Sequence, residues 1–288
     1  MVISLAHLGP TGTNAETAAI AYAHWLEQQQ GQKSILCPCP SIAQTLFAVA
    51  KGETQRAVVP VENSTEGSVA TTLDTLWQLD DLKIQQELVL PISHALLSRG
   101  SSLEGIKTVY SHPQALAQCQ SWLERHLPSV SLIPTNSTTE ALSEINLQPT
   151  SGAIAAPRAS KLYDLPILAN HINDYPDNCT RFWVLERTPT TRGQSRVSLA
   201  FSVPENVPGV LVKPLEVLAR RHINLSRIES RPTKRSLGEY LFFLDLEGST
   251  ENDCIPDALK ELAGYTEVLK IFGSYSVVSF TQADIDRL

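Results

Sequence analysis

No run of about eighteen consecutive apolar residues occurs in the 288-residue chain, which argues against a membrane-spanning helix. No basic cluster interrupts a chain of net charge −7, so nucleic acid is not an expected partner. An anionic ligand would have to be met by a few locally concentrated cations. The N-terminal MVISLAHLGP lacks a basic n-region and is too short for a signal peptide; it reads as the first strand of the fold. Walker, GxGxxG, GxSxG and HExxH patterns are all missing, and no cysteine stands beside a plausible base. Nucleotide chemistry, zinc hydrolysis and triad hydrolysis therefore have no sequence support. Five cysteines, Cys37, Cys39, Cys119, Cys179 and Cys254, are an odd number and read as free thiols of a cytoplasmic chain. Cys37-Pro38-Cys39 has no second cysteine or histidine pair to complete a site, so no metal and no cofactor are expected.

What is present suits a globular protein. A hydrophobic fraction of 42% at this length builds a core without staples. Up to about residue 187, short β-rich runs alternate with helical patterns, which predicts an α/β fold with largely parallel sheets. Strands are expected at 2–8, 34–37, 56–61, 108–111 and 131–134, with one long β pattern over 82–97. Helices are expected at 15–29, 42–52, 69–79 and 113–127. Ser137-x-x-Glu140 reads as a capping box opening a further helix. The polar stretch 188–196 reads as a linker, and 197–288 follow the order βαββαβ of a ferredoxin-like domain.

Ligands of open α/β sheets bind outside the carboxyl ends of the strands, and several such ends here are polar. The first strand runs into Gly9-Pro10-Thr11-Gly12-Thr13, where glycines and hydroxyls entering a helix suit an anion, or merely a βα turn. RAVVPV runs into Glu62-Asn63-Ser64-Thr65-Glu66-Gly67-Ser68, seven residues without a hydrophobe, readable also as a solvated loop with a helix cap. TVYS ends at Ser111-His112-Pro113-Gln114, with Pro113 suited to a first helical position. DNCTRFWVL places Asn178, Thr180 and Arg181 at the start of an apolar strand. A cleft of hydroxyls, amides, carboxylates and one arginine suits a small carboxylate substrate and a reaction without a cofactor.

Taken together, GPTGT (9–13), VVPVENSTEGSV (58–69), SHPQALAQC (111–119), AIAAPRASKLYDLPIL (153–168) and NCTRF (178–182) make the chain resemble the monofunctional prephenate dehydratases over its whole length. GVLVKPLEVLARRHINLSRIESRP (209–232) resembles an ACT regulatory domain. Nothing precedes the first strand, so the chorismate mutase domain of bifunctional relatives is expected to be absent. The resemblance implies a bilobal, periplasmic-binding-protein-like catalytic domain over 1–187, with lobe crossings near 80–95 and 170–178. The ACT domain over 197–288 would sense phenylalanine in a homodimer or homotetramer.

Prephenate would lose water and carbon dioxide to give phenylpyruvate. Thr180 matches the family's catalytic threonine, and Arg181 would clamp a substrate carboxylate. His112, Glu62 and Glu66 would be the proton sources. Thr11, Gly12, Thr13, Asn63, Ser64, Ser111, Gln114, Asn178 and Phe182 would surround the substrate. Gly209, Val210, Leu211, Asn224, Leu225, Glu229, Ser230, Arg231 and Pro232 would hold phenylalanine. Arogenate dehydration, or ligand sensing without turnover, are the competing readings. Two departures from the family stand out: Asn14-Ala15 where an aromatic and a hydroxyl residue are usual, and His222 where many relatives have a glycine helix cap.

Overall fold

The computed structural model describes residues 2–145, 148–187, 195–249 and 254–288. The first lobe comprises β1 (Ile3–Leu8), α1 (Asn14–Gln30), β2 (Ser34–Cys39), α2 (Ile42–Ala50), β3 (Arg56–Asn63), β4 (Gly67–Ser68), α3 (Ala70–Gln78) and β5 (Lys83–Pro91). The second comprises β6 (Ala95–Ser98), β7 (Thr108–Ser111), α4 (Pro113–Ala117), α5 (Gln120–His126), β8 (Ser131–Pro134), α6 (Glu140–Glu144), β9 (Ser151–Ala155), α7 (Arg158–Tyr163) and β10 (Ile167–Ala169). The chain then returns to the first lobe as β11 (Cys179–Glu186). The C-terminal part is β12 (Arg196–Ser202), α8 (Val212–Arg220), β13 (Leu225–Pro232), β14 (Tyr240–Glu247), α9 (Cys254–Ala263), β15 (Val268–Ser279) and α10 (Gln282–Asp286). The βαββαβ order is present, with a short helix added. Residues 188–194 of the expected linker, and 251–253 of the last expected helix, lie outside the described residues.

Two sheets organise these elements. One runs β13-β14-β12-β15-β5-β11-β3-β1-β2, with β4 added on β3; the other runs β10-β6-β9-β7-β8. The chain leaves the first sheet after Pro91, enters the second at Ala95, and returns over 170–178. The expectation of largely parallel sheets needs correcting. β1 pairs in parallel with β2 and β3, but the returning β11 is antiparallel to both β3 and β5, and β6 is antiparallel to β9. A strand that comes back from a second lobe enters its sheet from the opposite end.

The long β pattern of 82–97 is two strands in different sheets. The residues between them, Ile92–His94, satisfy their backbone against the other crossover instead of a ladder. The Ile92 N–H donates to the Asn178 carbonyl at 2.8 Å, and the Ile172 N–H donates to that of His94 at 3.0 Å. The expected helix over 113–127 is likewise two, broken at Gln118 and Cys119. The capping box at Ser137 forms with a shift. Its hydroxyl accepts the Glu140 N–H, while the Glu140 carboxylate accepts the N–H of Asn136.

The C-terminal part is not a detached appendage. β15 pairs with β12 through its first half and, over Ser276–Ser279, runs parallel to Gln86–Val89 of β5. One apolar cluster accordingly joins Leu46, Val49, Trp183 and Leu185 of the first lobe to Leu241, Phe243, Phe272 and Tyr275. Gly273 makes the junction possible: a Cβ there would sit 2.6 Å from the Ile84 carbonyl oxygen.

Candidate functional site

Side chains of a strand alternate between faces, and in β11 the alternation decides the chemistry. Phe182 and Val184 pack on the α1 side with Ala18 and Tyr22. Trp183 and Leu185 pack on the other side, with α2, α3 and the C-terminal domain. Thr180 belongs to the first row and Arg181 to the second.

Thr180 is buried among amides. The Asn63 side-chain N–H₂ donates to Thr180 Oγ1 at 2.9 Å and to Asn178 Oδ1 at 2.8 Å. Asn63 Oδ1 in turn accepts the backbone N–H of Thr65 at 3.0 Å and of Glu66 at 3.2 Å, and the Thr65 hydroxyl at 2.6 Å. Gln118, at the end of α4 in the second lobe, reaches across to donate to Asn63 Oδ1 (3.3 Å) and Thr65 Oγ1 (3.0 Å). Its Oε1 accepts from Asn178 Nδ2 at 3.1 Å and meets His94 Nε2 at 2.8 Å. Ser64 Oγ donates to Asn178 Oδ1. Among the described residues, the Thr180 hydroxyl has no acceptor for its own hydrogen.

Elsewhere the lobes are also tied together. Arg158 of α7 pairs with Glu16 of α1 at 2.7 Å, and the Tyr163 hydroxyl donates to the Thr11 carbonyl at 3.0 Å. Burial alone would raise the Glu16 pKa, but the Gly12 N–H and Arg158 hold it below the usual carboxylate value. A cavity of about 370 Å³ lies between the lobes, bounded by Asn14, Thr17, Ile92, Arg158, Lys161 and α10. None of the residues expected to bind substrate lines it. The candidate site is Thr180 and the polar loops, where hydroxyls and amides of both lobes hydrogen-bond to one another in one buried network.

Arg181 does not do what its place in the sequence suggested. Its guanidinium meets Glu62 at 2.6 Å, Glu87 at 2.6 Å and Asp245 of the C-terminal domain at 2.8 Å. Glu87 and Asp245 are both fully buried. Burial works against the Arg181 charge, but Glu87 and Asp245 outweigh it and push the pKa far above the ordinary arginine value. Arg196 also binds Glu87, and Arg227 stands 3.8 Å from both Glu62 and Asp245. With its fork occupied on the face opposite Thr180, Arg181 is not placed to clamp a substrate carboxylate. Glu62, its partner, lies on that same far face and is not placed to relay a proton to Thr180.

Other expected residues divide in the same manner. Asn63, Ser64 and Asn178 join Thr180 in one network. Phe182 is core. Ser111 is buried with its hydroxyl donating to the Ile154 carbonyl at 2.6 Å, so it holds β7 to β9. His112 caps α4, its Nδ1 accepting the Gln114 N–H at 3.2 Å. Thr13 caps α1, and the Gly12 N–H is taken by Glu16 at 2.7 Å, which leaves less of that loop for an anion than expected. Thr11 offers only its carbonyl to Tyr163 in these contacts.

In the C-terminal domain Gly209 has φ 79° in the turn before α8, next to Val210 and Leu211. Asn224 and Leu225 open β13, the edge strand of the large sheet. Along it the residues alternate. Glu229 accepts from Ser68 at 3.0 Å and Arg231 binds Asp74 of α3 at 3.0 Å, whereas Ser230 and Pro232 are exposed. Glu229 and Arg231 thus face the first lobe rather than an open effector pocket. His222 follows α8 with φ 55°, the left-handed conformation that glycine fills more readily.

Sequence reasoning missed Gln118, His94, Glu87, Asp245, Arg196 and Arg227. Gln118 lies inside the SHPQALAQC motif, where its position was the available signal. The others carry none, because their partners come from distant segments.

Comparison with known proteins matches residues 5–190 to the family model described as prephenate dehydratase and residues 197–264 to that of the ACT domain. The bifunctional chorismate mutase/prephenate dehydratase of Aquifex aeolicus (strain VF5) is 42% identical, over 95% of this chain and 73% of that protein. The prephenate dehydratase of Lactococcus lactis subsp. cremoris (strain MG1363) is 38% identical, over 96% of this chain and 99% of that one. The solved structure of prephenate dehydratase from Arthrobacter aurescens in complex with L-Phe superposes with a TM-score of 0.83 at 35% identity, covering 95% of this chain and 90% of that one.

Proposed function

The chain belongs to the prephenate dehydratase family, and we propose from that premise that Thr180, steered by Asn63, is the residue that meets the departing oxygen. The chain converts prephenate to phenylpyruvate, and its ACT domain makes that conversion sensitive to L-phenylalanine. In the reaction the bond from the ring to its carboxylate breaks and the electron pair moves into the ring. The ring C–O bond breaks with its pair going to oxygen. The hydroxide takes a proton to leave as water beside carbon dioxide. Aromatisation supplies the driving force.

The observation that carries the reading is the free hydrogen of Thr180. Asn63 is oriented by two backbone N–H groups, so its own N–H₂ faces Thr180 and leaves that hydroxyl as a donor toward the cleft. An alkyl hydroxyl is a poor Brønsted acid at neutral pH, so Thr180 acts chiefly as a hydrogen-bond donor to the leaving oxygen. Gln118 comes from the opposite lobe, so the network is complete only when the lobes are together. Prephenate enters as they part.

Phenylalanine binds between the Gly209–Leu211 turn and the exposed row of β13, at an interface between ACT domains. The unpaired edge of β13 and the half-exposed Ile228 support that association as a homodimer or homotetramer. The absence of a disulfide among the described residues suits a cytoplasmic enzyme. Turnover of prephenate and of arogenate, each with and without phenylalanine, is the deciding assay. Phenylpyruvate formed from prephenate and suppressed by phenylalanine is the expected result. Product from arogenate alone, or from neither, would sink the reading. Gly209→Val and Ser230→Ala should weaken the inhibition and keep the basal rate.

A further inference from the structure

His94 sits in the first crossover between the lobes and is 3% exposed. Its backbone is pinned on both sides: its N–H donates to Asn173 Oδ1 at 2.7 Å and its carbonyl accepts the Ile172 N–H. The ring touches the polar network at one point only, Nε2 against Gln118 Oε1 at 2.8 Å. Nδ1 is buried with no hydrogen-bond partner among the described residues.

The protonation of this ring follows from its neighbours. Two backbone N–H groups, which can only donate, fix Asn63 Oδ1 as an acceptor. The Gln118 group facing Asn63 Oδ1 must therefore be its N–H₂, which turns Gln118 Oε1 toward His94 and Asn178. An oxygen can only accept, so Nε2 of His94 must carry the hydrogen. A hydrogen on Nδ1 as well would face no acceptor among the described residues, so the neutral imidazole is the form that fits. Burial disfavours the imidazolium and holds the pKa below the ordinary histidine value.

The result is an unbroken line of donors. His94 N–H points to the Gln118 carbonyl, Gln118 N–H to the Asn63 carbonyl, and Asn63 N–H to Thr180 Oγ1, whose own O–H points on. Aligned amide dipoles polarise one another in a low-dielectric site, and each step leaves the Thr180 hydrogen more positive. We propose that His94 is a positioning residue for this reaction: as the Nε2–H tautomer it locks the Gln118 amide and so orients and polarises the Thr180 hydroxyl. It touches neither substrate nor reacting atoms.

The proposal rests on Thr180 turnover of prephenate, but its first test does not. Nitrogen-15 spectra of histidine-labelled wild-type protein should show one ring held with hydrogen on Nε2 and none on Nδ1 across neutral pH. A buried ring protonated on Nδ1, or a His94 ring exchanging between tautomers, would overturn the assignment even if prephenate were not the substrate.

The second test is kinetic. His94→Met keeps the volume and removes the donor; kcat should fall about 10- to 100-fold with KM nearly unchanged, the size expected of a misplaced reacting group. His94→Gln can return an N–H near the same place and should recover to within about threefold of wild type. On a Thr180→Val background His94→Met should cost little more, because the two act through one bond. A kcat for His94→Met within about twofold of wild type, or losses that multiply fully in the double variant, would overturn the proposal. If His94→Met fails to fold, the spectra and the His94→Gln turnover decide it, a tenfold loss in His94→Gln with intact melting counting against rescue.

Discussion

Thr180 and Arg181 are adjacent in the chain and oppositely employed. A single step along the strand leads from a hydroxyl held by Asn63 to a guanidinium enclosed by Glu62, Glu87 and Asp245. On the proposed role of Thr180 as a transition-state donor, Thr180→Val should lose about 10²–10³ in kcat, while Thr180→Ser keeps part of it. Steady-state turnover of prephenate measures both. Arg181→Met leaves two buried carboxylates without their main partner and should destabilise the fold by about 3–5 kcal/mol in urea unfolding. A substrate clamp would show instead as a raised KM in a protein of ordinary stability. His94 gives stability a pH dependence of definite sign. Its folded-state pKa lies below the ordinary 6.5, so the unfolded chain takes up the proton first. That contribution is complete above pH 6.5 and is lost as pH falls toward the depressed folded value. Wild type should therefore lose more stability than His94→Gln as the pH falls below 6.5, by chemical unfolding at each pH.

Two elements carry more than their own local structure. β15 is long enough to belong to both the ACT sheet and the catalytic sheet, and Gly273 lets its backbone pass close to Ile84. Gly273→Ala would press a methyl into the Ile84 carbonyl and should cost about 2–3 kcal/mol, read as a lowered urea midpoint. β13 is two-faced: Arg227, Glu229 and Arg231 turn to the first lobe, while Ile228, Ser230 and Pro232 stay exposed. The period-2 pattern of such a strand is legible in the sequence, but which row meets which partner is not. The same limit explains the 82–97 pattern. Apolar residues continue on both sides of Ile92–His94, and only the packing of the second lobe tells that the sheet has changed. Helix and strand periods, the α1 and α4 starts, and the αL position at His222 could all be read locally because each depends on a few consecutive residues.

Across the whole molecule, ion pairs connect the effector domain to the loop beside Thr180. Asp245 binds Arg181; Arg227 donates to Ser68 at 2.7 Å; Arg231 and Lys234 bind Asp74. Burial tends to raise the Asp74 pKa, but Arg231 and Lys234 draw it below the usual aspartate value. Any displacement of β13 would therefore be felt by α3 and by the 62–68 segment that carries Asn63. Arg231→Ala removes one of these ties without touching Thr180. It should weaken phenylalanine inhibition about 5- to 150-fold in half-inhibitory concentration, the range of typical coupling, with basal turnover kept. An unchanged inhibition curve would remove this contact from the coupling.

The order of the elements, the ACT-type βαββαβ pattern and the polar strand ends are properties of the sequence itself, since each is written in short contiguous segments whose periodicity and residue types have local physical meaning. The fate of Arg181, the bridge made by Gln118, the anchoring by His94 and the fusion of two sheets through β15 were decided only by the tertiary structure. A charge or an amide takes its role from what stands across from it, and those partners lie about 24 to 119 residues away along the chain, or in another domain.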